Sequence, residues 1–342
     1  MISDALLDIL ACPRDRLPLE RAGATRLVCT DGHEFPVVDG IPVLLANELP
    51  PTHPSLRDTM AIVGDGHAGR LMDVAPESAV DPYVQSEILK TNGQLYRHLV
   101  GSLSRYPIPE IRLPPGDGEK LLDVGCNWGR WTFAAARAGY RAVGIDPWIE
   151  GTRAGKRVAR QLGLEADFVV GDARQLPFRD GAFDVAYSYS VLQHFSKSNA
   201  RTAWTQMARV TAVDGTVLVQ MPNIFGLRQA YNRLFRTAAT AADPFRVRYW
   251  TPRELRRTGR DVVGPTETFV DGFFSLNPQV TDLDLMPPHL GAIIRCSDLL
   301  RRASTILPWI GSMADSLYVR SARAAGPASA ISGQRLTGTE TS

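Results

Sequence analysis

LLDVGCNWGRW, Leu121 to Trp131, decides how the rest of the chain is read, because an apolar run there ends in a glycine turn and leads into helix-forming residues. Glycine at 125 and 129 lets the backbone approach a ligand where a Cβ would clash. A dinucleotide loop of the G-x-G-x-x-G kind needs glycine where Asn127 and Arg130 stand, so a pyrophosphate crossing fits poorly. The spacing D-x-G-x-N-x-G suits instead a ligand with an ammonium group and a ribose, with Asp123 facing the amine.

Outward from this loop, strand and helix patterns alternate. KLLDV, RAVGID, DFVVGD, FDVAYS and TVLVQM read as strands, with helices over Trp131 to Ala138, Gly151 to Leu162 and around Arg201 to Val210. Such alternation predicts a parallel sheet covered by helices on both faces. TETFVDGF and SLYVRSAR add two strands around a partly helical insert from Asn277 to about Ala314, which makes seven. Asp146 closes RAVGID and Asp172 closes DFVVGD, so Asp123, Asp146 and Asp172 are expected to converge at the carboxyl ends of neighbouring strands. Asp146 there accepts ribose hydroxyls and Asp172 an adenine amine. Each acid alone is also an ordinary turn or helix-capping residue.

These residues resemble the class I S-adenosylmethionine-dependent methyltransferases. LLDVGCNWG resembles their first motif, AVGID the second, DFVVGDARQLPF the third, and FDVAYSYSVLQHF the fourth with its following segment. The resemblance covers about residues 116 to 324 and implies a Rossmann-like seven-stranded α/β sheet with S-adenosylmethionine as cofactor. It implies cofactor contacts from Asp123, Gly125, Cys126, Asn127, Gly129, Asp146, Asp172, Ala173 and Ser188, with Asn127 departing from the commoner glycine. It also implies an in-line displacement at the sulfonium methyl, which requires no metal. His194 in VLQHF, where the family's acceptor pocket opens, is the candidate catalytic base; packing or capping of the following helix is the alternative. Tyr187 and Tyr189 are expected in the pocket walls.

Residues 1 to 46 stand apart, because LLDILACP, helical or strand-like, with LVCT and EFPVVDGIPVLL make three apolar pieces that suggest a small sheet. Pro50, Pro51 and Pro54 mark a linker, followed by cofactor-covering helices up to residue 115. A disordered tail is expected from Ala325. LLDILACPRDRLPLE with LVCTDGHEFPVVDGIPVLL resembles the zinc-ribbon-like domain of the tRNA-methyltransferase activator family. A zinc-binding version carries C-x-x-C in both knuckles. Here Cys12 is followed by Asp15, and Cys29 by Gly32 with His33 one residue further. Cys12, Asp15, Cys29 and His33 are a conceivable mixed site, but the favoured expectation is a core that folds without metal. Docking onto the larger unit of the same chain is expected; a platform for a macromolecular acceptor is the alternative.

Thirty-eight basic against thirty-six acidic side chains leave a net charge of +2, too little for a general attraction to nucleic acid or anionic lipid. Phe245 to Arg260 gathers Arg246, Arg248, Arg253, Arg256, Arg257 and Arg260, which can grip phosphate or carboxylate, although a solvated helix starting at Thr251-Pro252 is favoured. No run nears the roughly 18 to 20 apolar residues of a membrane span. Met1 to Cys12 lacks export-signal character, and the four scattered cysteines are read as reduced, so cytoplasmic residence is expected. The expected function is methyl transfer to an oxygen or nitrogen of a small molecule, sugar or surface-polysaccharide precursor, with nucleic acid not expected as partner. The alternatives are RNA or protein methylation using the N-terminal domain as platform, and a non-catalytic scaffold retaining the fold.

Overall fold

The computed structural model describes residues 2–46, 49–51, 54–64, 80–235 and 247–325. The expected tail beyond Ala325, part of the linker, and Phe245 and Arg246 lie outside the described residues.

The chain opens with helix α1 (Asp4–Ile9), started by Ser3, whose hydroxyl accepts the Leu6 amide at 3.1 Å. Four short strands follow: β1 (Leu19–Arg21), β2 (Arg26–Cys29), β3 (Glu34–Val38) and β4 (Ile41–Leu44), each antiparallel to the next. Asp39 and Gly40 join β3 to β4 with φ of 54° and 73°, the positive values a two-residue hairpin needs. Helices α2 (Pro54–Gly64) and α3 (Pro82–Asn92) then lead to a 3-10 turn over Gln94–Leu99.

The larger unit alternates as its sequence predicts: β5 (Lys120–Val124), α4 (Arg130–Arg137), β6 (Arg141–Asp146), α5 (Ile149–Leu162), β7 (Ala166–Gly171), β8 (Phe183–Tyr189), α6 (Lys197–Val210) and β9 (Thr211–Pro222). Helices α7 (Leu227–Phe235) and α8 (Pro252–Val262) precede β10 (Thr266–Gly272); α9 (Pro288–Ile306) and α10 (Pro308–Gly311) fill the insert before β11 (Ser316–Ala322). The seven strands β5 to β11 stand in the order β7-β6-β5-β8-β9-β11-β10. β11 runs antiparallel to both neighbours, so β10 is parallel to β5 through β9 and all six end at the same edge.

The N-terminal strands are not a detached sheet. β4 lies parallel to β7, pairing Val43 with Val170 and Leu44 with Gly171, so one sheet of eleven strands runs through both units. Ala11 donates its amide to Pro177 O at 3.0 Å, Arg179 returns one to Ile9 O at 2.9 Å, and Arg153 of α5 reaches Asp39 at 2.8 Å. Successive residues of β5 feed opposite faces. Leu122 and Val124 share a core with Leu6, Leu10 and Leu27 of the N-terminal unit and with Trp204 and Met207 of α6. Leu121 joins Trp128 and Phe133 on the other side. Each such buried side chain contributes about 1.5–3 kcal/mol, so the two units are held by a common apolar layer as well as by strand pairing.

Among the described residues, no helix is long and apolar enough to cross a membrane.

Candidate functional site

A cavity of about 500 Å³ opens at the carboxyl edge of β5, β6, β7 and β8, within the size range of small-ligand sites. Gly125 forms its floor at φ +83°, and a Cβ there would stand 2.3 Å from Val191 Cγ2. Its amide and that of Cys126 both donate to Ile145 O, at 2.8 and 3.1 Å, which binds the turn to the end of β6. Asn127 also takes a left-handed conformation, φ 47°, and donates its amide to Asp146 Oδ2 at 2.9 Å. Cys126, Asn127, Asp146, Asp172, Ala173 and His194 line the same cavity.

The three acids are staggered by strand register. Asp123 pairs with Gly144 and Asp146 with Val170, so each successive acid stands two residues further along the sheet. Two residues of parallel strand span roughly 7 Å. Asp123 is therefore set back in the core: it does not line the cavity, and it accepts a hydrogen bond from Thr132 Oγ1 at 2.7 Å, tying β5 to α4. Sequence reading sets it against a ligand amine; here its carboxylate faces Thr132. Burial, aided by the charge of Asp146, pushes its carboxyl up to about 7.

Asp146 does face the cavity. Burial lifts it to about 6, against the opposing effect of amides from Trp148 and Asn127. Neither Asp123 nor Asp146 has an ion-pair partner among the described residues. Asp172 lines the cavity, yet its carboxylate caps the following turn through the Arg174 amide, at 2.8 Å, and pairs with the Arg174 guanidinium at 2.6 Å.

Two more residues expected at the cofactor lie outside the lining of this cavity. Ser188 is fully buried, donates its hydroxyl to Val124 O at 3.0 Å and stays outside the lining. Gly129 also lies outside it; its φ of +89° and the Phe168 ring, 2.9 Å from a Cβ placed there, make it a packing requirement. Of the two tyrosines expected in the walls, Tyr189 lines the cavity and packs at a tilt on Trp131, ring centroids 4.3 Å apart, whereas Tyr187 is buried against Tyr318.

His194 reaches the cavity because the chain reverses at Ser190, φ 59°, whose amide donates to Gln220 Oε1 at 3.0 Å. Arg248 pins the turn by donating to His194 O at 2.5 Å, so this member of the basic run serves the loop. The remainder of that run starts where expected, with Thr251 and Glu254 completing a capping box on α8.

Sequence reasoning passed over Asn92. It stands at the end of α3 in the cavity wall, fully buried, and its Nδ2 has no hydrogen-bond partner among the described residues. The Asn92-Gly93 pair reads in sequence as a helix break, which hides the inward amide.

A second cluster lies in the N-terminal unit. One donor atom from each of Cys12, Asp15, Cys29 and His33 falls within 4.8 Å of all the others. His33 Nδ1 stands 3.6 Å from Cys12 Sγ, 3.4 Å from Cys29 Sγ and 2.7 Å from Asp15 Oδ2. A single ring nitrogen carries at most one proton and cannot donate to three acceptors at once. Two thiolates, an imidazole and a carboxylate are a donor set that fits tetrahedral zinc.

Comparison with known proteins gives two family matches. Residues 121–215 match the methyltransferase domain model and residues 3–40 the Trm112p-like protein model. An O-methyltransferase, cnsE, of Penicillium expansum is 38% identical over 110 residues, 29% of this chain and 37% of that protein. A probable tRNA methyltransferase 9B of Homo sapiens is 34% identical over 106 residues, 30% of this chain and 21% of that protein. The chain thus spans about half, or less, of the length of the curated relatives it matches. A complex of the Haloferax volcanii Trm112 methyltransferase activator with a methyltransferase aligns with 71% of this chain and 94% of its own, at 15% identity and a TM-score of 0.43. The relative named for tRNA leaves the expectation against nucleic acid without support. The chain carries a methyltransferase domain of the class I type and an N-terminal Trm112p-like domain.

Proposed function

We propose that this chain is an S-adenosylmethionine-dependent methyltransferase acting on an oxygen or nitrogen of a small molecule, sugar or surface-polysaccharide precursor. The observation that carries the reading is Asp146, a buried carboxylate without a cationic partner among the described residues, at the end of β6 beside the Gly125 turn. A ligand that brings positive charge and ribose hydroxyls to that carboxylate meets what the cavity lacks.

When bound, the cofactor would supply an activated methyl group to the lone pair of the acceptor. The residues provide the rest. Asp146 accepts the ribose hydroxyls, Asn92 backs the cavity wall, and the Gly125 turn gives backbone room. His194 takes the proton released by a hydroxyl or amine acceptor. Cys12, Asp15, Cys29 and His33 would hold a zinc ion, which would cross-link two turns of the N-terminal unit and leave the transfer chemistry unchanged.

RNA or protein methylation is the second reading, favoured by the Trm112p-like match and by the relative named for tRNA. The test is incubation with methyl-labelled cofactor and fractionated cell extract. Label in small metabolites or glycans supports the first reading and label in RNA or protein the second. Label in none, with cofactor bound, leaves a scaffold. His194→Gln is expected to lower kcat about 100-fold, since positioned bases contribute about 10²–10⁴; full turnover across the pH range would remove it from the mechanism.

A further inference from the structure

A second cavity, of about 1080 Å³, runs along the free edge of the sheet at β10, between α8, α9 and the segment before β5. Five arginines line it, Arg112, Arg256, Arg301, Arg302 and Arg320, against two carboxylates, Glu110 and Asp298. Asp298 is spent on Arg301 and Arg302, at 2.6 and 2.8 Å, and Arg320 pairs with Glu267 at 3.2 Å. A solvated basic face is the simple explanation for exposed arginines, and Arg302, with its side chain 71% exposed, fits it. Arg301 and Arg112 do not, at 23% and 26%.

Two buried polar atoms in this wall lack any hydrogen-bond partner among the described residues: Arg112 Nε and Thr281 Oγ1. The acid nearest Arg112, Asp271, is 3.9 Å away and already accepts from Tyr189 and Ser316. A buried donor left unpaired is costly, so both side chains gain if the wall shifts to meet a bound acceptor.

A third, smaller space lies between this cavity and the first. It measures about 40 Å³, shares Arg112, Gln279 and Arg301 with this cavity and shares Tyr189 with the cavity beside Asp146. Asp271 lines this space at the end of β10, on the sheet edge where the strands that frame the first cavity also end.

We propose that the arginine-lined cavity binds the diphosphate group of the methyl acceptor, whose reacting end enters the first cavity past Tyr189. The inference rests on the methyltransferase reading and narrows its substrate class to a diphosphate-bearing small molecule. Guanidinium forks match phosphate oxygens in pairs, and several arginines spread over α8, α9 and β11 suit a ligand with more than one anionic group.

Calorimetry on the full chain tests it with two probes in separate titrations, inorganic pyrophosphate and S-adenosylhomocysteine. Pyrophosphate is expected to bind, more weakly as salt rises, and Arg301→Gln and Arg256→Gln are each expected to weaken it about tenfold. Both variants should bind S-adenosylhomocysteine as the wild type does. The surface variant Arg256→Gln keeps the test decisive if Arg301→Gln fails to fold. Pyrophosphate that does not bind, or binds all variants alike, overturns the inference while nucleoside binding keeps the methyltransferase reading. Wild-type protein that ignores S-adenosylhomocysteine overturns that reading, whatever pyrophosphate does.

Discussion

The strand-end carboxylates and the N-terminal donor cluster are both groups of chemically capable side chains spaced along the sequence, and folding treats them in opposite ways. Asp123, Asp146 and Asp172 look equivalent as residues that close successive strands, but register separates them: one is drawn into the core by Thr132, one faces the cavity, and one is clamped by Arg174. Cys12, Asp15, Cys29 and His33 look mismatched in spacing, yet their atoms meet. The difference lies in what the backbone does between them. A strand fixes which face a residue takes but leaves its offset to the neighbouring strand, whereas a tight turn sets both position and direction. Gly32 at φ 81°, with Cys29 N donating to His33 O at 3.1 Å, absorbs the extra residue and returns His33 to Cys29.

The sharpest way to break this contrast is to exchange the acids one at a time. Asp146→Ala is expected to weaken S-adenosylhomocysteine binding about 100-fold, because hydrogen bonds to an ionised acceptor contribute about 1.5–3 kcal/mol each. Asp123→Asn, which retains an oxygen for Thr132, should change affinity far less. Equal losses by calorimetry would erase the distinction drawn from register.

For the other cluster, elemental analysis of purified protein is expected to find zinc bound, and stripping it with a chelator to lower Tm by about 5 °C, as loss of a native-state ligand does. Metal-free protein whose Tm ignores both chelator and added zinc would reduce the cluster to hydrogen bonds around His33.

A smaller effect concerns pH. With Asp146 held at about 6 in the unliganded fold, nucleoside affinity should fall about tenfold between pH 7 and pH 5 as its carboxylate is protonated, and Asp146→Asn should flatten the profile. For folding alone the sign reverses. Both acids sit above their ordinary 3.8, so the stability they contribute is present below that value and is lost as pH rises through about 6 and 7. The smallest expected change is in Ser188→Ala, which should cost about 1 kcal/mol of stability and leave nucleoside affinity within about twofold. A larger loss of affinity would return Ser188 to the cavity.

Much of the fold is legible in the sequence. Apolar runs taking turns with helix patterns mark the strands of the larger unit, and the glycine turn marks the mouth of the cavity, since both follow from local backbone chemistry. Asn92 and the commitment of Ser188 were not legible, because they depend on which helix folds over which strand end. The arginine cavity was half visible: Arg256 lies in the basic run, but Arg112, Arg301 and Arg320 come from segments far apart in the chain and meet through the sheet edge.

The pairing of β4 with β7 gives the N-terminal unit a protective duty apart from any chemistry. A strand with bare amides and carbonyls on one side is a template for other chains. Removal of the first 46 residues would uncover that side of β7 together with apolar side chains now shared by both units, so the trimmed protein should self-associate even with its nucleoside cavity intact.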